Sequence, residues 1–265
     1  SAFDAANDRA LFFGGYTEEE LSTETWSLSL GAEPAWSLLP TAGDPPPGRL
    51  GMTGGFDATA GALYVFGGTG TQSATSDLWQ LTTGGSPMWS KVVASGDPGA
   101  RDFASGGFDP ISHRFVIYGG LHEFATSDST WASETFSDVW VIVPGSGSPT
   151  WTDVTPDPTI RPRWGAGSVV SPAGNLYVVG GVSDHYKLLS DIWSLNVGSP
   201  TAWQTWQTLF PPRLQQVMVM DSKRHRLIAF GGTDGSYRND TWVHSLDFGQ
   251  GWAPHSVDVN WYLSR

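Results

Sequence analysis

Short runs of apolar residues recur along this chain at a nearly constant interval, and each run ends in a pair of glycines. The runs are rich in β-branched and aromatic residues, which is typical of β-strands. They read ALFF, LYVF, FVIY, LYVV and LIAF, and the pairs that follow them are Gly14-Gly15, Gly67-Gly68, Gly119-Gly120, Gly180-Gly181 and Gly231-Gly232. No segment has the apolar period of a helix over a useful length. The pattern predicts an all-β protein built from repeats.

Three further markers share the period of the glycine pairs. An acidic residue lies two places before a tryptophan at Glu24/Trp26, Asp77/Trp79, Asp138/Trp140, Asp191/Trp193 and Asp240/Trp242. A second tryptophan follows at Trp36, Trp89, Trp151, Trp203 or Trp206, and Trp252. An arginine precedes each next repeat at Arg49, Arg101, Arg163, Arg213 and Arg265. Each repeat predicts four strands, A to D, which in the second repeat are GMTGGFD, LYVFGG, SDLWQLT and MWSKVV.

This set of residues resembles the kelch repeat, and the resemblance covers the whole chain. It implies a β-propeller, and the five copies predict five four-stranded blades. We expect a single domain over residues 1–265, with repeats at approximately 1–48, 49–100, 101–162, 163–212 and 213–265. The motifs are specific for the fold. They say little about function, because kelch propellers include both partner-binding modules and enzymes.

Two local features follow from the predicted blades. We expect both glycines of each pair to adopt backbone conformations that other residues avoid, which explains why a pair recurs there. We also expect the strand-C tryptophans to be largely buried between neighbouring blades. These are Trp26, Trp79, Trp140, Trp193 and Trp242.

Charge and composition narrow the classes of partner. The formal net charge is −12, so the surface as a whole should repel nucleic acid and anionic membranes. Cysteine is absent, which excludes disulfides, thiolate metal sites and cysteine nucleophiles. The absence of cysteine also excludes a copper-radical oxidase of the kelch type, since these enzymes need a Cys–Tyr crosslink. No apolar run approaches the roughly 20 residues of a membrane span.

No motif for a cofactor or metal stands out. The chain has no Walker-type or dinucleotide glycine loop, no HExxH and no GxSxG elbow. We therefore predict no cofactor and assign no metal ligands. We expect a monomer, and the sequence does not indicate a compartment.

The B–C loops and the D–A connections should emerge together on one face of the propeller. The five B–C loops differ completely in sequence, and variable loops on a repeated scaffold are where function normally lies. The third, LHEFATSDSTWASETFS, carries an insertion of about nine residues relative to the second. Two interpretations stay open for it, a lid over the central channel and a solvated hairpin.

The repeat arginines begin strand A on this same face, and two interpretations stay open for them. In one, each arginine forms an ion pair with the acidic residue that begins a strand C, and the role is structural. In the other, up to five guanidinium groups make a cationic well for a carboxylate, phosphate or sulfate, which the planar guanidinium suits. The second hypothesis names as ligand-binding residues Arg49, Arg101, Arg163, Arg213 and Arg265.

Further candidate residues depart from the repeat or lie on its variable loops. Asp102 and Gln215 stand where the other repeats carry mostly apolar or small residues. Together with the loop residues Tyr186, Tyr237 and Arg238, they are predicted to bind a ligand. A histidine, a lysine and a carboxylate can act as general base, nucleophile or electrostatic clamp. The catalytic candidates on this ground are Asp184, His185, Lys187 and His122.

Two functions are compatible with this sequence. We favour a binding module that takes a protein partner or a small anionic ligand at the loop face, at an arginine-lined channel mouth. The alternative is a hydrolase of small anionic esters of the phosphoryl, sulfuryl or carboxylic type, in which the arginines stabilise developing charge.

Overall fold

The structure is a computed structural model that describes residues 1–71, 73–126, 130–206 and 210–247 with their side chains, and residues 252–255 as backbone. These residues form five antiparallel sheets of four strands, and within each sheet the strands lie in the order A, B, C, D. This is the predicted five-bladed β-propeller. The described part of the chain contains no α-helix and one short 3-10 helix, Ala5–Asn7.

The strands of each blade follow one another along the chain. Blade 1 contains Ala2–Asp4, Arg9–Phe13, Thr25–Ser29 and Trp36–Leu38. Blade 2 contains Thr53–Asp57, Ala62–Phe66, Leu78–Thr82 and Met88–Val92. Blade 3 contains Ser105–Asp109, Arg114–Tyr118, Val139–Ile142 and Thr152–Asp153. Blade 4 contains Gly167–Val170, Asn175–Val179, Ile192–Asn196 and Gln204–Trp206. Blade 5 contains Val217–Asp221, Arg226–Phe230, Thr241–Ser245 and Trp252–His255.

Two small strand pairs lie outside the blade sheets. The insertion in the third B–C loop forms a hairpin of Leu121–Ala125 and Trp131–Thr135, so the hairpin interpretation of this segment matches the structure. A second pair joins Arg163–Trp164 to Val182–Ser183, at the start of blade 4.

Apolar cores fill the spaces between successive blades. In blade 3, Phe115 and Ile117 of strand B pack with residues of blade 2, while Val116 and Tyr118 pack with residues of blade 4. Successive side chains of a strand point to opposite faces, so this strand is buried on both sides. Burial on both sides explains why the sequence of this strand, FVIY, is apolar at every position.

A central channel runs between the inner strands. Strand A of every blade contributes to a cavity of about 550 Å³ whose apolar side chains include Phe3, Phe56, Phe108 and Met220. Strand A is crowded here because the ring has only five blades. A Cβ on Gly55 would lie 2.5 Å from the backbone nitrogen of Phe108 in the next blade, which accounts for the small residues of this strand.

The glycine pairs mark close contact between a blade and its successor. All ten have positive φ, as expected. At Gly119, where φ is 66°, a Cβ would lie 2.5 Å from the carbonyl oxygen of Arg163 in the following blade. The second glycine, Gly120, donates its N–H to that same oxygen at 2.9 Å.

The strand-C tryptophans lie between blades but are less buried than expected. Trp79, Trp140, Trp193 and Trp242 pack against the interblade cores while remaining only partly buried, and Trp26 is 37% exposed. The indole Nε1 of each donates to the acidic residue two places earlier, at 2.7–2.8 Å, which holds the ring edge beside the loops. The deepest tryptophans are instead Trp89 and Trp151, at 2% and 5% exposed.

The first glycine of a pair provides a test of this blade contact. Gly119→Ala should lower the free energy of unfolding by more than about 2 kcal/mol, because it combines a left-handed backbone with a clash against Arg163. Gly145→Ala is the control, since Gly145 is exposed and a Cβ there meets nothing within 4 Å. Urea unfolding measures both. Equal midpoints for the two variants would contradict the assigned contact.

Candidate functional site

Four repeat arginines form the same buried ion pair in four successive blades. In blade 4, Arg163 Nη1 donates to Asp191 Oδ1 at 2.6 Å and Nη2 donates to Oδ2 at 2.9 Å. Nη1 also donates to the carbonyl oxygen of Gly180, the first glycine of the pair, at 3.0 Å. The same contacts recur in Arg49–Asp77, Arg101–Asp138 and Arg213–Asp240.

These pairs correct the expectation of an arginine-lined channel mouth. The side chains of Arg49, Arg101, Arg163 and Arg213 are 0–3% exposed, and their Nη1 and Nη2 groups donate to protein oxygens. A bidentate carboxylate neutralises each guanidinium, so it has neither free charge nor free surface for an anion. Of the two interpretations, the structural ion pair is the one found for these four. The fifth arginine, Arg265, lies outside the described residues.

The arginine partners lower the pKa values of the paired aspartates Asp77 and Asp191. Burial alone would raise the pKa of Asp77, but hydrogen bonds from Arg49, Trp79 and Thr75 outweigh it and lower the pKa to about 2. For Asp191, burial likewise acts upward, and the Arg163 and Trp193 hydrogen bonds hold the pKa below its usual value. These aspartates are charged partners of the arginines, and they are held ionised for that role.

The D–A connections and the B–C loops are joined by backbone pairing. We call this end of the propeller the loop face. Residues after the repeat arginine bridge to residues after the glycine pair, in the pairs Leu50–Thr69, Asp102–Leu121, Trp164–Val182 and Leu214–Thr233. The next residue takes a left-handed conformation in each blade, and it is Gly51, Phe103, Gly165 and Gln215 in turn. The scaffold therefore fixes where the loops of blades 2 to 5 begin.

Gln215 and its neighbour Gln216 lie at the mouth of the channel. Gln215 has a φ of 57° and is exposed. Gln216 is buried, and its Nε2 donates to the carbonyl oxygen of Val179 at 2.7 Å. Both line a mouth cavity of about 280 Å³, together with Gly51, Phe103 and Gly165. Among the residues that the structure describes, small, apolar and neutral polar side chains line this mouth, and no arginine or lysine does.

Asp102 is a buried carboxylate on the loop face without a cationic partner among the described residues. It is 8% exposed, and its Oδ2 accepts a hydrogen bond from Thr69 Oγ1. Its Oδ1 is buried and has no hydrogen-bond partner within the described part of the chain. Burial raises the pKa of this carboxyl group, and the nearby charge of Glu123 raises the pKa further. The hydrogen bond from Thr69 and the nearby charge of His122 lower the pKa but do not outweigh burial.

The four catalytic candidates are not brought together. His185 Nδ1 lies 2.9 Å from Asp184 Oδ1, and the His185 side chain is 86% exposed. Lys187 lines a separate outer pocket with Arg161 and Trp193. His122 belongs to the hairpin of blade 3, where its ring is tilted against that of Phe124 with 5.3 Å between the centroids.

The loop candidates that remain lie on the B–C loops of blades 4 and 5. Tyr186 is exposed, and its hydroxyl lies 3.1 Å from Ser133 Oγ of the blade 3 hairpin. Tyr237 is 96% exposed on the loop of blade 5. Arg238, on the same loop, pairs with Asp234 at 2.6 Å. A ligand-binding role for these three residues stays a prediction.

Sequence reasoning missed three exposed aromatic residues on the same face. Tyr16, Phe124 and Trp131 lie on the B–C loops of blades 1 and 3 and are 68%, 39% and 73% exposed. The signal was present, because each large aromatic residue lies in a loop that the repeat pattern does not require to be apolar. Loop residues were selected for their chemistry, and these three side chains offer aromatic surface rather than charge.

The described part of the chain offers neither a metal-binding cluster nor a membrane-spanning helix. No group of three or more His, Cys, Asp or Glu side chains is arranged to hold a metal ion among those residues. None of the described helices has the length and apolar character needed to span a bilayer.

Comparison with known proteins gives matches along most of the chain. The KLHDC2/KLHL20/DRC7 Kelch-repeats domain matches residues 2–208. Adagio-like protein 3 of Oryza sativa subsp. japonica is 28% identical over 256 residues, which cover 92% of this chain and 39% of that protein. Adagio protein 3 of Arabidopsis thaliana is 26% identical over 258 residues, covering 92% and 40%. The chain thus spans about two-fifths of the length of these relatives.

A more distant fungal protein shares part of the chain. Tip elongation aberrant protein 1 of Schizosaccharomyces pombe is 28% identical over 195 residues, which are 69% of this chain and 16% of that protein.

Removing one arginine should show that the ion pairs are structural. Arg163→Met should lower the free energy of unfolding by about 3–5 kcal/mol, because it leaves Asp191 partly buried without its partner. Arg224→Met breaks an exposed pair with Asp221 and should cost less than about 1 kcal/mol. Denaturant unfolding compares the two. If both variants lost a similarly small part of the free energy of unfolding, the result would contradict a structural role for Arg163.

Acid should weaken the fold through these same carboxylates. A carboxyl group whose folded pKa is lowered stabilises the fold above its unfolded pKa and loses this contribution as the pH falls through the folded value. For Asp77 the window runs from the ordinary 3.8 down to about 2. Asp77→Asn should therefore show a smaller drop in stability between pH 5 and pH 2 than the wild type, by about 2 kcal/mol. Identical acid profiles would contradict the assignment.

Proposed function

This chain belongs to the kelch-repeat family, whose propellers are typically protein-interaction modules, and we propose that it binds a protein partner through its loop face. The observation that carries the proposal is the exposure of large aromatic side chains on four of the five B–C loops. These residues are Tyr16, Phe124, Trp131, Tyr186 and Tyr237.

Exposed aromatic residues on several loops of one face are typical of a docking surface. Tyrosine and tryptophan are enriched at the centres of protein interfaces, where they supply a large contact area with few rotatable bonds. The Tyr237 side chain is almost fully exposed, and Trp131 and Tyr186 are more than two-thirds exposed. Their placement on loops of different blades supports a broad docking surface.

The scaffold supports this use because it fixes the loops at their bases. In blades 2 to 4 the loop starts at a glycine pair that is bonded to the next blade, and the residue after this pair bridges to a D–A connection. The loop sequences are then free to differ without disturbing the blades. A partner would meet a surface whose shape is set in advance, and this lowers the conformational entropy lost on binding.

The hydrolase alternative gains no support from the site. Four of the arginines proposed to stabilise developing charge are occupied by aspartates. Asp184 and His185 lie together on an exposed loop, whereas Lys187 lines a separate outer pocket. The same ion pairs weaken the case for a small anionic ligand, so a protein partner is the better supported occupant.

Peptide selection against loop-face variants tests the proposed function. Random peptides are selected on the whole chain, and each selected peptide is then titrated against a triple variant, Tyr16→Ala, Trp131→Ala and Tyr237→Ala. All three side chains are exposed, so the variant should keep its stability. We expect binding to weaken at least about tenfold, the loss typical of removing interface anchors.

The control lies on the opposite face of the propeller. Ile111, in the A–B turn of blade 3, is 64% exposed, and Ile111→Ala should bind like the wild type. Peptides that bind the triple variant as well as the wild type would argue against the loop face.

A further inference from the structure

The inserted hairpin of blade 3 places carboxylate and aromatic groups on one side. Glu123 pairs with Ser133 across the two strands, and Ala125 pairs with Trp131 two residues further along. Residues paired directly across an antiparallel ladder point to the same face, as do residues two apart. Glu123, Ser133 and Trp131 therefore share a face of the hairpin.

A second aromatic ring reaches this face from blade 4. The Tyr186 hydroxyl lies 3.1 Å from Ser133 Oγ, so Ser133 has the exposed rings of Trp131 and Tyr186 as neighbours. Tyr186 is held in a left-handed conformation with φ of 54°, and such a conformation is uncommon for residues with a bulky side chain. We call Glu123, Trp131, Ser133 and Tyr186 the hairpin patch.

Negative charge accumulates beside the hairpin patch without a described cation to balance it. Asp102 pairs with Leu121 at the base of the hairpin, close enough to Glu123 for the two carboxyl groups to repel. One Asp102 oxygen is buried and lacks a hydrogen-bond partner among the described residues. The hydrogen bond from Thr69 and the nearby charge of His122 act in the opposite direction.

The arginine and lysine side chains of the neighbouring elements have partners or positions away from the hairpin patch. Arg101 and Arg163, which flank blade 3, are paired with Asp138 and Asp191. Lys187 follows Tyr186 in sequence but lines the outer pocket with Arg161. Glu134, on the other face of the hairpin, adds a further exposed carboxylate.

Aromatic faces and carboxylates together recognise one kind of side chain. Aromatic rings attract a cation through their quadrupole, most strongly at tryptophan, and a carboxylate adds a charged hydrogen bond. Building on the proposed function, we propose that the hairpin patch, with Asp102 at its base, receives a cationic side chain of the partner, so that the partner segment is rich in arginine or lysine.

The test uses three labelled octapeptides in which serine alternates with arginine, lysine or glutamate. Fluorescence anisotropy measures their binding to the whole chain at physiological ionic strength. We expect the arginine peptide to bind best and the glutamate peptide not to bind. Trp131→Ala and Glu123→Gln should each weaken the arginine peptide about tenfold, which corresponds to about 1.4 kcal/mol.

Matched controls separate the hairpin patch from the overall negative charge. Glu33→Gln removes an exposed carboxylate from the C–D turn of blade 1, and Ile111→Ala removes an exposed apolar side chain from the opposite face. Neither should change binding. Equal weakening by Glu33→Gln and Glu123→Gln, or no weakening by the hairpin variants, would overturn the inference, and so would equal binding of the glutamate peptide.

Failure of this inference is distinguishable from failure of the proposed function. Selected peptides that lose affinity for the triple loop variant but carry no positive charge would leave the loop face as the docking surface and remove the cationic partner. Selected peptides that ignore the loop variants would remove the proposed function itself.

Discussion

In the described part of the chain, each repeat arginine has two polar groups that act in different blades, and the propeller depends on this double use. The guanidinium group of Arg163 closes its own blade by bonding to Asp191 and to the Gly180 carbonyl oxygen. The backbone carbonyl oxygen of the same residue accepts the N–H of Gly120 in the preceding blade. A buried ion pair is stable only when its remaining hydrogen bonds are made, and here the glycine carbonyl accepts a further one from Nη1. Arg49, Arg101 and Arg213 repeat this arrangement.

This arrangement separates the part of the chain that must be constant from the part that can vary. The glycine pairs and the arginine carbonyl groups have to recur because they join neighbouring blades at backbone distance. The aspartates have to recur because each one pairs with the arginine of its own blade. The B–C loops begin immediately beyond these contacts and carry no interblade core. Their aromatic residues can therefore be exposed without weakening the blades, and a docking surface can differ between proteins that share the scaffold.

The architecture was predictable because its markers are local and periodic. The glycine pairs need only the backbone to explain them, and the acid–tryptophan spacing corresponds to one hydrogen bond within strand C. The role of the arginines was not predictable to the same degree. Both the ion pair and the anion well use the same residues, and only burial, with Arg163 at 1% exposed, separates them.

The site itself was predicted least well. Polar residues on loops were singled out because they can do chemistry, but chemistry requires convergence, and sequence order does not report it. Asp184 and His185 are neighbours in sequence and in space, whereas Lys187, two residues further on, belongs to a different pocket. The contact between Ser133 and Tyr186 joins two blades, and no period along the chain could have predicted it.

Native-state hydrogen exchange at the second glycines tests the central claim most directly. The amides of Gly68, Gly120 and Gly181 donate to the arginine carbonyl oxygen of the following blade at 2.9–3.0 Å. If these bonds tie the blades together, the three amides should exchange only through global unfolding, with the same free energy as core amides such as those of Val116 and Val178. Exchange of the glycine amides by local opening, while the core amides stay protected, would contradict the account.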